Sequence, residues 1–113
     1  MVGIDIENVS RFKKLFENNN KLLRKMFNET EWYYAINKAN PSQTLAGIWC
    51  AKEAVVKALS SMEQVIIKDV IISHKSNGQP YAKIKNVNFK KESIKISISH
   101  TQDYATAIAI FTK

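Results

Sequence analysis

The sequence predicts an α+β fold in which helices of the first half pack on an antiparallel sheet. Apolar residues of the first half recur mostly at helical spacing, whereas the second half contains β-branched runs at residues 70–72 and 94–98, the latter with strict alternation. No low-complexity linker or internal repeat separates the halves. Such a change of period is typical of segregated helices and strands, so we expect a single domain over residues 1–113.

The first half begins with a strand over residues 2–6, whose apolar residues alternate with Gly3 and Asp5. Because the polar residues Glu7 and Asn8 follow, we expect Asp5 to lie at or near the strand end. Helices should come next. The first is predicted over residues 10–17 with Ser10 as N-cap, and the second over residues 21–27. A third begins after a cap formed by Asn28 and Glu31, and a fourth extends from Pro41 to about Ser60.

The second half is predicted to form strands joined by short turns. Asn77 and Gly78 together are a strong hairpin signal, and Pro80 directly after them suits a strand start or an edge. The strands are expected over residues 65–67, 70–72, 94–98 and 105–111.

Composition narrows the class of protein. The chain has 17 Lys and Arg against 10 Asp and Glu, a net charge of +7, which favours anionic partners. Cys50 is the single cysteine, so no internal disulfide is possible, and two histidines with it give no recognisable zinc spacing. Scattered glycines match neither a P-loop nor a dinucleotide motif. With no leader and no membrane-length apolar run, we expect a cytoplasmic protein without a membrane partner.

The segment W-C-A-K-E-A-V-V-K, residues 49–57, carries the strongest chemical signal. Glu53 and Lys57 are four residues apart and share a helix face, where they would ordinarily form a surface ion pair. Lys52, however, projects into the apolar stripe of the same helix. An ammonium group there needs water or an anion, so we expect this segment to lie beside an anionic ligand or partner.

Two further groups of residues suit a phosphate site. Asp5 and Glu53 could supply hard oxygen ligands for Mg²⁺, which commonly binds one or two carboxylates together with substrate phosphates. His100, within S-I-S-H-T, could bind a phosphate together with neighbouring hydroxyl groups. Each residue taken alone is more often an ordinary surface or structural residue.

Basic residues crowd the first two predicted helices, which is usually only a solvated face. As a functional patch they suit an acidic protein helix or a phosphate backbone. Nearby aromatic residues fall at core spacing and form no stacking array, so nucleic acid is the weaker alternative. The patch comprises Arg11, Lys13, Lys14, Lys21, Arg24 and Lys25.

Five separated segments, in order, resemble the holo-acyl-carrier-protein synthase family, the small 4′-phosphopantetheinyl transferases. The resemblance implies their α+β fold. It also implies transfer of 4′-phosphopantetheine from coenzyme A to a serine of an apo acyl carrier protein, with release of adenosine 3′,5′-bisphosphate, a step in fatty acid biosynthesis. The segments are G-I-D-I-E with Arg11 six residues after Asp5, F-N-E-T-E-W from Phe27, L-A-G-I-W-C-A-K-E-A-V-V-K-A-L, G-Q-P from Gly78, and S-I-S-H-T-Q-D-Y-A from Ser97.

The same resemblance implies roles for individual residues. Asp5 and Glu53 match the metal-binding acids, and either Glu53 or a metal-bound water would be the general base. Lys57 matches a lysine near the phosphates, for charge stabilisation or proton transfer to the leaving group. Lys52 is assigned to cofactor binding. His100 and Thr101 resemble residues that contact the nucleotide portion of coenzyme A.

The family resemblance also implies partners. Arg11 resembles an arginine that meets an acidic helix of the carrier, and Lys14 lies nearby. A homotrimer with active sites between subunits is expected. In two places the chain departs from the family pattern: Ile48 replaces an arginine, and Ser60-Ser61-Met62 replaces a Gly-Thr-Gly turn. The alternative function is a basic nucleic-acid-binding or carrier-docking module without catalysis.

Overall fold

Four α-helices and five strands make up the described part of the chain, residues 1–62, 64–85 and 93–112 of a computed structural model. The helices are α1 (Val9–Asn18), α2 (Asn20–Lys25), α3 (Glu29–Ile36) and α4 (Pro41–Leu59). The strands are β1 (Val2–Asn8), β2 (Val70–His74), β3 (Pro80–Ile84), β4 (Ile94–His100) and β5 (Tyr104–Phe111).

The strands form two antiparallel sheets, where the sequence had suggested one. The larger sheet has the order β1-β5-β4, and the smaller one pairs β2 with β3. In the larger sheet β5 is central, since Ala107 lies opposite Asp5 on one side and opposite Ile98 on the other. The predicted α+β class, with helices packed on antiparallel strands, is confirmed.

Helix α4 packs closely on the larger sheet because small residues line the face beneath it. Three inward residues of β5 are small and buried: Ala105, Ala107 and Ala109. On β1, a Cβ added to Gly3 would lie 2.0 Å from the carbonyl oxygen of Ala54 and 2.6 Å from the amide nitrogen of Ala58. Only glycine permits this approach, which lays α4 directly alongside β1.

Two predictions about the N-terminal segment are wrong. The strand continues to Asn8, so Asp5 lies in its interior, because residues 7 and 8 still pair with β5. Ser10 is not the N-cap of α1. That position belongs to Asn8, whose side chain makes no capping bond, and the Val9 amide donates to the carbonyl of Asp103 at 2.9 Å instead. A tertiary contact therefore satisfies an amide that a cap would otherwise serve.

The strand predicted over residues 65–67 is also absent. Residues 64–66 are irregular and Ile67–Asp69 forms a 3-10 turn, in which the Asp69 amide donates to the Ile66 carbonyl at 3.0 Å. Within the described part of the chain β2 pairs only with β3. A β-branched run without a partner strand has no sheet to join.

Several turn and cap predictions are confirmed. Asn28 and Glu31 form a complete capping box at the start of α3, and Pro41 begins α4 after the N-cap Asn40. Gly78 has a φ of 90° in the hairpin turn, and Pro80 is the first residue of β3.

We expect Gly3→Ala to lower the free energy of unfolding by about 3 kcal/mol, the upper end for overpacking, because the new methyl group meets helix backbone. Gly47→Ala is the matched control, since its Cβ would meet only the Ile98 side chain at 3.0 Å. Alanine's helix propensity offsets that contact by about 1 kcal/mol. Urea denaturation of both variants measures the difference. Equal stability of Gly3→Ala and the wild type would contradict this account of the packing.

Candidate active site

The close approach of α4 to β1 brings Lys57 and Asp5 together. The Lys57 Nζ lies 3.2 Å from Asp5 Oδ1 and donates to the Ile4 carbonyl at 3.0 Å. The other carboxylate oxygen, Asp5 Oδ2, is buried and has no hydrogen-bond partner in the described structure. A buried carboxylate oxygen of this kind is suited to accept a cation or a donor from a ligand.

Glu53 lies on α4 one turn before Lys57 and is partly buried. The surface ion pair that this spacing ordinarily gives is absent, because Lys57 pairs with Asp5 on β1 instead. Among the described residues Glu53 has no ion-pair partner. Its carboxylate is therefore available to a ligand.

Glu7 is a residue that the sequence interpretation missed. Burial is the largest cause that raises the pKa of Glu7, and the neighbouring Asp5 carboxylate raises it further because it favours a proton on Glu7, while Arg11 acts in the opposite direction. Arg11 Nη1 lies 2.8 Å from Glu7 Oε1. The signal for Glu7 was available in G-I-D-I-E, since residues two apart on a strand share a face.

The thiol of Cys50 lies next to these two acids. Burial first, then the charges of Asp5 and Glu7, raise the pKa of Cys50 to about 12. Its Sγ donates to the Ala105 carbonyl at 3.3 Å. Cys50 therefore stays neutral and forms an apolar wall behind the carboxylates.

Lys52 does not reach this group of residues. Its Nζ lies 2.7 Å from Glu31 Oε1, and both side chains are buried, 2% and 0% exposed. The anion required by its position in the apolar stripe is thus internal, which corrects the expectation of an external one. The assignment of Lys52 to cofactor binding stays a prediction that this contact does not support.

A cavity of about 290 Å³ opens between α3, α4, β4 and the β2–β3 hairpin. On one wall His74 stacks on Tyr34 with ring centroids 3.8 Å apart, and Lys38 Nζ lies 4.6 Å from the Tyr34 centroid. Burial and then Lys38 lower the pKa of His74. Ile48 is buried and lines the cavity, with His100 also in the wall. None of the described lining residues is acidic, which suits an anionic ligand.

His100 and Thr101 are adjacent at the end of β4, as expected, but in different surroundings. His100 is exposed to the cavity. The Thr101 hydroxyl oxygen accepts from the amides of Tyr104 at 3.1 Å and Asp103 at 3.3 Å. Gln43 on α4 donates to the Thr101 carbonyl at 2.9 Å. Thr101 therefore shapes the turn that carries His100.

Arg11 and Lys14 are exposed on α1 beside a groove of about 670 Å³. The groove also contains the apolar side chains of Ile6, Leu15 and Leu22. The guanidinium of Arg11 is half-exposed at the groove edge while it pairs with Glu7. This surface combines positive charge with apolar contacts.

Two negative observations apply to the described residues, 1–62, 64–85 and 93–112. No group of three or more His, Cys, Asp or Glu side chains is arranged to hold a metal ion. No helix combines the length and hydrophobicity that crossing a membrane requires.

Comparison with known proteins agrees with the fold. A family model for the 4′-phosphopantetheinyl transferase superfamily matches residues 1–109. The chain is 41% identical over 112 residues to the holo-[acyl-carrier-protein] synthase of Thermodesulfovibrio yellowstonii, covering 98% of this chain and 96% of that protein. It is 35% identical over 114 residues to the corresponding synthase of Chlamydia trachomatis serovar L2, with 96% of each chain covered.

The fold is similar to that of a solved synthase. The Helicobacter pylori holo-[acyl-carrier-protein] synthase, crystallised in complex with coenzyme A, superimposes with a TM-score of 0.80 at 26% identity, covering 99% of this chain and 100% of that one. This chain therefore belongs to the 4′-phosphopantetheinyl transferase superfamily, within the family of holo-acyl-carrier-protein synthases.

Proposed function

We propose that this protein transfers 4′-phosphopantetheine from coenzyme A to a serine hydroxyl of an apo acyl carrier protein and releases adenosine 3′,5′-bisphosphate. The observation that carries the proposal is the family match along nearly the whole chain. The similarity extends over 96% of the Thermodesulfovibrio yellowstonii synthase. The arrangement of charged residues at β1 and α4 supports the same chemistry.

The residues between β1 and α4 suit a phosphoryl-group transfer. Lys57 is half-exposed with its ammonium beside Asp5, so it can turn toward a phosphate. We assign it stabilisation of charge on the leaving phosphate and donation of a proton from Nζ. Glu53 has two carboxylate oxygens, which allows it to hold a cation with one and accept the serine proton with the other.

Mg²⁺ is the cofactor that fits these acids. Asp5 Oδ2 is buried without a hydrogen-bond partner among the described residues, and Glu53 lacks an ion-pair partner there. Two carboxylates suffice when substrate phosphates complete the shell. We propose that Asp5 and Glu53 hold the ion, with Glu7 beside them. When bound, Mg²⁺ neutralises pyrophosphate charge.

We propose that coenzyme A, the substrate, binds in the cavity beside His100. The described lining residues include Lys38, an aromatic wall and no acid, which suits a nucleotide with phosphates. Lys38 and His100 supply the polar contacts, while Ile48 contributes an apolar surface where the family usually has an arginine. Thr101 is proposed to act with His100 by holding its turn.

The carrier is proposed to dock on the groove beside α1. Arg11 and Lys14 present cations at its edge. In this proposal they face acidic side chains of the acyl carrier protein. Charge complementarity of this kind mainly accelerates encounter. The overall charge of +7 has the same effect.

A homotrimer with active sites between subunits is proposed as the working form. The outer face of the larger sheet exposes Val2, Ile4 and Ile6, at 61%, 63% and 64%. Ile110 lies opposite Val2 on this face. A contiguous exposed apolar face marks an interaction surface, and a second copy of the chain would cover it. We also propose a cytoplasmic location and a role in fatty acid biosynthesis.

The reaction is tested with purified protein, coenzyme A, Mg²⁺ and a panel of apo carrier proteins. Mass spectrometry of each carrier should show addition of one phosphopantetheine group to its serine. The folded protein without coenzyme A is the control. No modified carrier in the whole panel would contradict the proposal and favour a docking module without catalysis.

Replacement of either proposed metal ligand by its amide should abolish most of the turnover. Asp5→Asn and Glu53→Gln keep the shape of each side chain but remove a charge that binds the ion. We expect kcat to fall at least about 100-fold, with a rise in the Mg²⁺ concentration needed for half-maximal rate. Glu17→Gln, an exposed acid on α1, is the matched control. Unchanged rates at limiting Mg²⁺ would remove Asp5 and Glu53 from the site.

Arg11→Ala should weaken the carrier interaction and leave coenzyme A binding unchanged. Loss of a charge at the groove edge slows encounter, so the KM for the carrier should rise and its salt dependence should flatten. Lys68→Ala, an exposed basic residue in the 3-10 turn and outside the basic patch of the first two helices, is the matched control. Steady-state kinetics at several salt concentrations, with calorimetry of coenzyme A, measures both effects. Loss of coenzyme A binding with normal carrier affinity would move Arg11 into the phosphate site.

A further inference from the structure

Glu31 is a fully buried acid that joins separate elements of the fold. Its Oε1 accepts from Lys52 Nζ on α4 at 2.7 Å and from the Asn28 amide at the start of α3 at 3.0 Å. Its Oε2 accepts from the Ile72 amide of β2 at 2.7 Å. A single carboxylate therefore connects two helices and the smaller sheet.

The contacts of Glu31 exceed what a helix cap requires. A capping box uses one carboxylate oxygen on the N-cap amide, and here both oxygens also bind groups from distant segments. Lys52 is 2% exposed and Glu31 is 0% exposed. Loss of the carboxylate would leave a buried ammonium and a strand amide without their acceptor, which proteins rarely tolerate.

The elements that Glu31 connects also line the cavity proposed for coenzyme A. Ile72 lies in β2, two residues before His74, and the hairpin also supplies Pro80 to the wall. Helix α4 supplies Ile48. In the described structure the smaller sheet shares no strand pairing with the larger one, so side-chain contacts must hold the hairpin in place beside α3 and α4.

We propose that Glu31 is a positioning residue for coenzyme A, because its bond to Ile72 holds the β2–β3 hairpin in place at the cavity. The inference rests on the proposed function, since it concerns the same substrate. Glu31 acts through the hairpin and touches no ligand. Lys52 is the internal ion-pair partner of the same carboxylate, and this pair contributes to the stability of the fold.

The test variant is Glu31→Gln, whose amide group presents a donor where one of the carboxylate oxygens accepted. We expect the KM for coenzyme A to rise about tenfold, corresponding to about 1.4 kcal/mol, while the KM for the carrier stays unchanged. Exchange of the Ile72 amide hydrogen should become faster without any ligand. Glu29→Gln, an exposed acid in the first turn of α3, is the matched control and should change none of these values.

Two further variants separate positioning from stability and from direct contact. Glu31→Leu combined with Lys52→Met replaces the pair by apolar groups, which commonly preserves folding. It still lacks an acceptor for Ile72, so the KM for coenzyme A should rise as in Glu31→Gln. Lys52→Met alone keeps the bond from Ile72 to Glu31 and should keep the KM for coenzyme A within about twofold of the wild type.

All measurements are made well below the unfolding temperature of each variant. A merely structural role would reduce the amount of active enzyme, lowering the maximal rate without a selective change in either KM, and this result would overturn the proposal. An equal rise of the coenzyme A KM in Lys52→Met would also overturn it, in favour of direct contact by Lys52. A wild-type KM for coenzyme A in the apolar double variant would also overturn the proposal, because that variant has no acceptor for the Ile72 amide.

Failure of the proposed function would be recognised separately. If the proposed function is wrong, the wild-type protein will modify no carrier. Exchange of the Ile72 amide hydrogen is measured without substrate and tests the positioning role independently. Unchanged exchange in Glu31→Gln would overturn the positioning role even if the wild type is an active transferase.

Discussion

The close contact between α4 and the larger sheet is the constraint on which the rest of the structure depends. Gly3 leaves room for the helix backbone, and the alanines of β5 keep the sheet surface flat beneath it. A larger residue would move the helix away by the width of a side chain. The distance between Asp5 on the strand and Lys57 on the helix is a direct consequence of this packing.

Two clusters of charged side chains contact α4, and they differ in how completely their carboxylates are hydrogen-bonded. Glu31 and Lys52 are buried, and every carboxylate oxygen there has a donor. Around Asp5, one carboxylate oxygen lacks a partner in the described structure and the neighbouring Glu7 has a raised pKa. Fully satisfied groups stabilise a fold, whereas unsatisfied ones with perturbed pKa values are typical of functional sites. This contrast separates the structural lysine of the central helix from the candidate catalytic one.

Lys52 and Lys57 illustrate why a helical motif alone does not assign roles. They lie five positions apart on α4 and belong to one sequence motif. One faces α3 and the smaller sheet, and the other faces β1. The rotation of the helix relative to both neighbours decides which lysine is internal, and that rotation depends on contacts with segments far away in the sequence.

The sequence by itself determined the class of fold, the capping box at Asn28, the start of α4 at Pro41 and the hairpin at Gly78, because each rests on local geometry. It also proposed Asp5, Lys57 and His100 as site residues, first from their chemistry and position and then through the family resemblance. Only the tertiary structure decided that Lys52 pairs with Glu31, that Asp5 lies inside β1, and that His74 stacks on Tyr34 in the wall of the cavity. These contacts join residues distant in the chain, and periodicity or propensity carries no information about which distant residue supplies the partner.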